Sequence, residues 1–184
     1  MPKILAAIAT VALLSVFPAS ASHGMDKALL SKAGLQEMRQ KAPDFSLKMD
    51  GRTISLADCA GKVAILHFWA TWCKPCMEEF PLFEKMLQGL KDKDAVFLPV
   101  SIDAKATQEE IDAFAKRLGA SFPVYLARPG NITDRYWTWG VPVTYFIDKK
   151  GWIVGRAMGP GDWAGPEILN LIEGLLKESK TLEH

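Results

Sequence analysis

Runs of apolar residues mark the predicted strands. Two continuous runs, at Val63–Trp69 and at residues 95–102, are typical of strands that are buried on both faces of a parallel sheet. Shorter runs predict further strands at residues 122–126, at residues 143–148 and at Trp152–Met158. These segments are numerous enough to form one central sheet.

Apolar positions at helical spacing lie between these strands. Counted from Cys76, positions +4, +7, +11 and +14 form one apolar stripe, made of Phe80, Phe83, Leu87 and Leu90. This stripe predicts an amphipathic helix that starts directly after Cys73 and ends at about Leu90. Residues 107–110 form a capping box that opens a second helix, and Pro166 suits the first turn of the last helix.

The region before the first central strand is more polar. Residues 22–41 have weak helical periodicity, and we expect an N-terminal helical extension there. Residues 43–47 and 52–56 flank Asp50-Gly51, which is a hairpin turn signal. The order of elements predicts an α/β domain over residues 42–180. It has a mixed central sheet, helices on both faces and an N-terminal β-hairpin extension.

The first residues have the pattern of a secretory signal. Within residues 1–21, Lys3 precedes an apolar run, and Ala19-Ser20-Ala21 suits cleavage. The run is short for a membrane-spanning helix, which needs about 20 apolar residues. We therefore expect a periplasmic or otherwise extracytoplasmic domain, with an uncleaved membrane anchor as the alternative. Residues 182–184 have the pattern of a tag remnant.

The composition narrows the range of partners. The chain has 184 residues, of which 49% are hydrophobic and 23% charged, and its formal net charge is +1. These values are ordinary for one globular domain with a targeting segment. Without residues 1–21 the chain keeps 21 basic and 21 acidic residues. This balance does not favour nucleic acid or an anionic membrane surface as a partner.

Cys73 and Cys76 are separated by two residues and follow the first central strand directly. The order of strand, tight turn and helix places Cys73 at a helix N-terminus, where unpaired N–H groups and the macrodipole favour a thiolate. Cys76 lies on the apolar stripe, whereas Cys73 is expected at the exposed tip. We interpret the pair as a redox dithiol in which Cys73 attacks substrate and Cys76 resolves the mixed disulfide.

Glu79 is the candidate proton acceptor for this dithiol. It lies three residues after Cys76, at the edge of the apolar stripe, whereas Glu78 points roughly the opposite way. A partly buried carboxylate at this position can accept and return the proton of Cys76. The alternative is that Glu79 is only an acidic residue that the helix dipole favours.

Two motifs resemble the thioredoxin superfamily and, within it, the TlpA/ResA-like thiol–disulfide proteins of the bacterial extracytoplasmic space. They are residues 68–76, Phe-Trp-Ala-Thr-Trp-Cys-Lys-Pro-Cys, with the following Glu79-Phe80-Pro81, and residues 140–148, Gly-Val-Pro-Val-Thr-Tyr-Phe-Ile-Asp. The resemblance covers roughly residues 42–177 and implies a thioredoxin fold. One departure is His67, where related proteins often carry a buried Asp or Asn. We favour a core histidine satisfied by one hydrogen bond over a residue that tunes the resolving thiol.

The second motif resembles the family's cis-proline segment, which faces the dithiol. It implies a cis bond before Pro142, with the backbone of Val141 available to pair with a bound substrate strand. Trp72, next to Cys73, is a candidate apolar rim for the same docking, and simple aromatic packing is the alternative.

The resemblance implies an extracytoplasmic thiol–disulfide oxidoreductase, most simply a reductase of protein disulfides. Cytochrome c maturation is one common role in such proteins, and a membrane thiol–disulfide reductant would restore the dithiol. No cofactor or metal is implied, and we expect a monomer. Two alternatives stay open: a disulfide oxidase or isomerase, and a non-enzymatic copper or haem-pathway binding module that uses both sulfurs as soft ligands.

The remaining candidate residues favour structural roles. Cys59 is interpreted as a small buried hydrophobe, with an intermolecular disulfide or a regulatory thiol as alternatives. Trp137 and Trp139 are either packed aromatics or a partner surface. Structural zinc usually needs two cysteine pairs, and the chain has one. A peroxidatic cysteine is also disfavoured, because Ala70 stands where peroxiredoxins place Thr.

Overall fold

The structure is a computed structural model that describes residues 27–49, 52–127, 132–136, 138 and 140–178. Several sequence predictions fall outside these residues: the signal segment 1–21, the turn Asp50-Gly51, the residues Trp137 and Trp139, and the tag residues 182–184.

The described strands form two sheets. Numbered along the chain, they are β1 (Gln36–Lys41), β2 (Ser46–Met49), β3 (Arg52–Ser55), β4 (Val63–Trp69), β5 (Ala95–Ser101), β6 (Tyr125–Leu126), β7 (Val143–Ile147) and β8 (Trp152–Met158). The central sheet has the order β1-β8-β7-β4-β5-β6, while β2 and β3 form the predicted antiparallel hairpin. β4, β5 and β6 run parallel, and β7, β8 and β1 join by antiparallel pairing. The sheet is therefore mixed, as predicted.

In the described residues, four α-helices accompany the sheet. They are α1 (Lys27–Lys32), α2 (Lys74–Gly89), α3 (Gln108–Arg117) and α4 (Pro166–Lys177), and a 3-10 helix spans Ala57–Cys59. The predicted capping box opens α3, because the Thr107 side chain accepts from the Glu110 N–H and the Glu110 carboxylate accepts from the Thr107 N–H. In the part of the chain that the structure describes, no helix is both long and apolar enough to cross a membrane.

The helical extension predicted for residues 22–41 needs correction. Its described part holds a helix only at Lys27–Lys32, and Gln36–Lys41 is strand β1, paired with β8. Gly34, with a φ of 70°, ends the helix, and the Leu35 N–H donates to the Leu30 carbonyl in a C-terminal cap. The β8 edge then pairs with β1, and this tertiary pairing outweighs a weak local helical preference.

Different elements pack against the two faces of β4. One face carries Val63, Ile65, His67 and Trp69, whose side chains pack with residues of α1 to α4. Ala64, Leu66 and Phe68 point to the other face, which is covered by the β2–β3 hairpin, by Cys59 and by Tyr136. We expected helices on this second face as well. Among the described residues, the 3-10 helix is the only helix that packs there.

Candidate active site

The turn between β4 and α2 places Cys73 at the helix N-terminus, as predicted. α2 begins at Lys74, and Cys73 is its N-cap with extended backbone (φ −91°, ψ 96°). Pro75 occupies the first turn, where a missing N–H costs nothing. The Cys73 Sγ accepts a hydrogen bond from the Cys76 N–H at 3.3 Å. The Cys73 sulfur therefore accepts a hydrogen bond from one of the N–H groups in the first turn of a 16-residue helix, which have no partner within the helix.

Cys73 and Cys76 form a disulfide bond in this structure. Cys76 is fully buried, as its place on the apolar stripe predicted, and Cys73 is only 5% exposed. The expectation that Cys73 stands at an exposed tip is therefore wrong for the oxidised protein. The bond holds Cys73 in one apolar cluster with Trp69 and Cys76, and Val141 packs against that cluster.

The proline segment lies beside the end of β4. The Val141–Pro142 peptide bond is cis, as predicted. β7 starts at the next residue, and Val143 pairs with Phe68 one residue before the end of β4. Because Val141 packs against the cluster that holds the disulfide, the segment and the dithiol are neighbours. Trp72 is 67% exposed, so of the two interpretations of this residue the structure favours a surface role over simple packing.

Glu79 lies one turn below Cys76 on the buried face of α2 and is only 2% exposed. Its Oε1 accepts hydrogen bonds from the Gly161 N–H at 2.9 Å and from the Trp163 indole N–H. Burial raises the pKa of the Glu79 carboxyl to about 7, although these two hydrogen bonds act in the opposite direction. A carboxyl group with this pKa is suited to exchange protons near neutral pH.

His67 is fully buried on β4 and contacts the Phe83 ring, with 4.6 Å between centroids. Its Nδ1 makes the one hydrogen bond expected of a core histidine, to the Thr144 hydroxyl at 2.9 Å, but among the described residues its buried Nε2 has no hydrogen-bond partner. Burial lowers its pKa to about 3. Sequence reasoning missed that Nε2 lies 4.0 Å from the Glu79 Oε2. The sequence contained a signal for this contact, because side chains alternate along a strand and His67 shares the face of Ile65 and Trp69, which is the face toward α2.

A second carboxylate, that of Asp103, forms hydrogen bonds with the loop before the dithiol. Sequence reasoning missed this residue. Asp103 is 8% exposed and follows β5, the strand next to β4. It accepts hydrogen bonds from the Thr71 N–H at 2.9 Å, from the Thr71 hydroxyl at 2.7 Å and from the Ser101 hydroxyl at 2.6 Å. The available signal was an acidic residue directly after a buried parallel strand, at the same sheet edge as the cysteines.

Cys59 is a buried free cysteine, as interpreted from the sequence. It is 4% exposed, and its thiol donates to the Ser55 carbonyl at 3.4 Å. Burial raises the pKa of this thiol to about 11. It packs in the apolar cluster on the face of β4 opposite to α2. Cys59 therefore lies apart from the dithiol.

A thioredoxin fold with a dithiol at the start of α2 and a neighbouring cis proline defines the class of thioredoxin-like thiol–disulfide oxidoreductases, and the chain is an enzyme of this class. The chain belongs to the AhpC/TSA family, whose model matches residues 38–156, more than half of its length.

Curated relatives and solved structures agree with this class. The chain is 42% identical over 121 residues to the thioredoxin-like protein YneN of Bacillus subtilis, an alignment that covers 65% of this chain and 70% of YneN. It is 29% identical over 150 residues to the thiol-disulfide oxidoreductase ResA of Bacillus cereus, covering 81% and 86%. A crystal structure from Chlorobium tepidum, provisionally assigned as the thiol:disulfide interchange protein DsbE, matches with a TM-score of 0.67 and 29% identity over 77% of this chain and 99% of that one.

Proposed function

We propose that the protein reduces disulfides of other proteins outside the cytoplasm, with cytochrome c maturation as one setting for this activity. The observation that carries the proposal is the Cys73–Cys76 disulfide at the start of α2, with the buried carboxyl of Glu79 one turn below. The signal-like pattern of residues 1–21 and the resemblance to TlpA/ResA-like proteins support the location and the direction.

In the first step, the Cys73 thiolate of the reduced protein attacks a substrate disulfide. A mixed disulfide forms between Cys73 and one substrate sulfur, and the other substrate sulfur leaves as a thiolate. The Cys76 N–H that points at the Cys73 Sγ stabilises the attacking thiolate. Lys74 contributes less, because its ammonium lies 3.9 Å from the Glu78 carboxylate on the exposed side of α2.

The substrate strand docks along Val141 and Pro142, whose backbone lies beside the dithiol. Trp72 forms an apolar rim on the dithiol side of this dock. Met158 is 64% exposed and pairs with Val143, so it extends the apolar surface on the proline side. Exposed apolar side chains at both edges suit a substrate segment with apolar residues around its cysteine.

In the second step, Glu79 removes the proton of the Cys76 thiol, and the Cys76 thiolate attacks the Cys73 sulfur. The Cys73–Cys76 bond forms, and the bond between Cys73 and the substrate breaks, so the substrate leaves with both sulfurs reduced. The protein now carries the disulfide of the structure described above. A membrane thiol–disulfide reductant then returns two electrons to the monomeric protein.

Replacing Cys76 with Ala tests the proposal, because it removes the resolving thiol and leaves Cys73 to trap its substrates. Incubated with a periplasmic extract under mildly reducing conditions, Cys76→Ala should accumulate mixed disulfides that mass spectrometry identifies. Cys73→Ala is the matched control and should trap none through position 73. Purified wild type should also reduce insulin with dithiothreitol as the electron source. If wild type oxidises reduced peptides efficiently but does not reduce insulin, the proposed direction is wrong.

A further inference from the structure

Two buried polar atoms of the active site face each other without a hydrogen-bond partner. Among the described residues, the Nε2 of His67 and the Oε2 of Glu79 have none. The two side chains are 0% and 2% exposed, and the two atoms are 4.0 Å apart. Buried polar atoms without a partner cost free energy, so two such atoms in one place indicate a function or a shared proton.

The hydrogen bonds of Glu79 determine which oxygen carries its proton. Oε1 already accepts two N–H donors, from Gly161 and from Trp163. These donors occupy both lone pairs of Oε1, so the proton of a neutral Glu79 lies on Oε2. Oε2 is the oxygen that faces the Nε2 of His67.

The hydrogen bond at Nδ1, on the other side of the ring, leaves the Nε2 of His67 able to accept a hydrogen bond from a protonated Oε2 of Glu79. Nδ1 lies 2.9 Å from the Thr144 hydroxyl oxygen. When Nδ1 carries the ring proton and donates it to Thr144, Nε2 keeps its lone pair and is an acceptor. A movement of about 1 Å between the two side chains then brings Oε2 and Nε2 to hydrogen-bond distance.

We propose that His67 is a positioning residue that holds the proton of Glu79, with an unprotonated Nε2 accepting the hydrogen bond from Oε2–H in the oxidised protein. The proposal rests on the proposed role of Glu79 as the proton acceptor of Cys76. When Cys76 gives up its proton, Glu79 binds it on Oε2 and His67 fixes its position. On reduction of the disulfide the same proton returns to the Cys76 sulfur, and His67 stays neutral throughout.

The surroundings of the pair favour the neutral forms of both groups. Burial lowers the pKa of His67 and raises the pKa of Glu79, so a neutral imidazole faces a neutral carboxylic acid at mildly acidic pH. Uncharged side chains surround the pair: Phe83 on α2, Phe97 on β5, Thr144 on β7 and Trp163 in the loop before α4. Among these described residues and the neighbouring dithiol, the titratable groups are His67, Glu79 and, after reduction, Cys76.

The sign of one pKa change tests the proposal. A lone pair of Nε2 that faces Glu79 stabilises the acid and opposes the carboxylate. In His67→Phe, which keeps an aromatic ring against Phe83, the titration midpoint of Glu79 should therefore fall by about half a pH unit or more. The measurement is a ¹³C NMR titration of the Glu79 carboxyl in the oxidised protein. A midpoint that rises or does not move would overturn the proposal.

A second measurement needs no substitution at His67 and decides the question if His67→Phe does not fold. In the ¹⁵N spectrum of the oxidised wild type at pH 6, Nδ1 should carry a proton and Nε2 should not. Protonation of Nε2, alone or with Nδ1, would overturn the proposal. Thr144→Val removes the acceptor of the Nδ1 proton, so it should shift the ring toward the Nε2–H form and also lower the Glu79 midpoint. Both readouts use oxidised protein without turnover, so they are independent of whether Glu79 serves Cys76.

Discussion

Cys73 and Cys59 are almost equally buried, at 5% and 4% exposure, yet their surroundings favour opposite states of the sulfur. Cys73 immediately precedes the first residue of α2, and its sulfur accepts a backbone N–H. Cys59 is the last residue of the 3-10 helix, and its thiol donates to the Ser55 carbonyl. The Cys73 sulfur therefore contacts a hydrogen-bond donor, whereas the Cys59 sulfur contacts a hydrogen-bond acceptor.

This difference shows that exposure alone does not separate a redox cysteine from a structural one. Donors at a helix N-terminus stabilise a thiolate, whereas a carbonyl acceptor and apolar neighbours stabilise the thiol. In agreement with this, burial raises the pKa of the Cys59 thiol to about 11. The chemistry of each sulfur follows from the end of the helix at which it lies.

The strongest test of this comparison exchanges each sulfur for oxygen. Cys73→Ser should lower insulin reduction by about a thousandfold or more, because it removes the attacking thiolate. Cys59→Ser is the matched control and should retain activity within about twofold. Both are measured as turbidity of reduced insulin at equal protein concentration. Comparable losses in the two variants would contradict the assignment of the two sulfurs.

The next test separates the carboxyl below Cys76 from its exposed neighbour. Glu79→Gln should slow release of a substrate from the mixed disulfide by about a hundredfold and change the initial attack much less. Glu78→Gln, altered at an exposed position of the same helix turn, should change neither step. Stopped-flow measurement of both steps provides the comparison.

The same pair of variants has an expected pH dependence. Since the pKa of Glu79 is about 7, the wild-type rate of resolution should fall as the pH drops below 7. Glu79→Gln should lack this fall. Equal slowing of attack and resolution would remove Glu79 from the mechanism.

The raised pKa of Glu79 also makes stability depend on pH. The folded carboxyl has a pKa of about 7 against 4.5 for an unperturbed glutamate, so the folded state binds the proton more tightly. Its contribution to stability is complete below pH 4.5 and is lost as the pH rises through 7, a change of about 3 kcal/mol.

Glu79→Gln does not titrate, so its unfolding free energy relative to wild type should increase by about 3 kcal/mol between pH 4 and pH 8. His67 changes in the opposite sense, because its pKa is lowered, but it is present in both proteins and cancels in the difference. Urea unfolding at the two pH values measures the effect. A constant difference would show that Glu79 is ionised when the protein is folded.

Local pattern was sufficient for the parts of this site that follow from one element. The N-cap position of Cys73 follows from the order of strand, turn and helix. The burial of Cys76 and the opposite exposure of Glu78 and Glu79 follow from helix periodicity. The cis bond before Pro142 came from the resemblance, because base rates favour trans.

Contacts between distant segments could not be predicted in this way. The Trp163 indole reaches Glu79 across 84 residues of chain, and Asp103 reaches Thr71 across 32. Strand β1 was missed for the same reason, since its backbone partners lie on β8. Sequence periodicity reports which face is buried, but it does not report what is packed against that face.

A smaller effect is expected at Asp103, which stabilises the loop that carries Cys73 through its hydrogen bonds with Thr71. Asp103→Ala leaves the Thr71 N–H and two hydroxyl groups without their acceptor, so unfolding free energy should fall by about 2 kcal/mol. Asp103→Asn keeps one carboxamide oxygen and should lose about half as much. Chemical denaturation of the oxidised proteins measures both, and an unchanged midpoint in Asp103→Ala would show that water replaces the carboxylate.

The smallest expected effect is at Cys59 itself. Cys59→Ala removes one sulfur from a packed apolar cluster and should cost about 1 kcal/mol, with insulin reduction unchanged. In the reduced protein, iodoacetamide at pH 7 should modify Cys73 rapidly and leave Cys59 unmodified until the protein unfolds, because alkylation needs an accessible thiolate. Mass spectrometry of peptides from native and urea-treated samples distinguishes the two sites. Rapid native modification of Cys59 would mean that its carbonyl acceptor does not hold the sulfur as a thiol, and the contrast between the two helix ends would then fail.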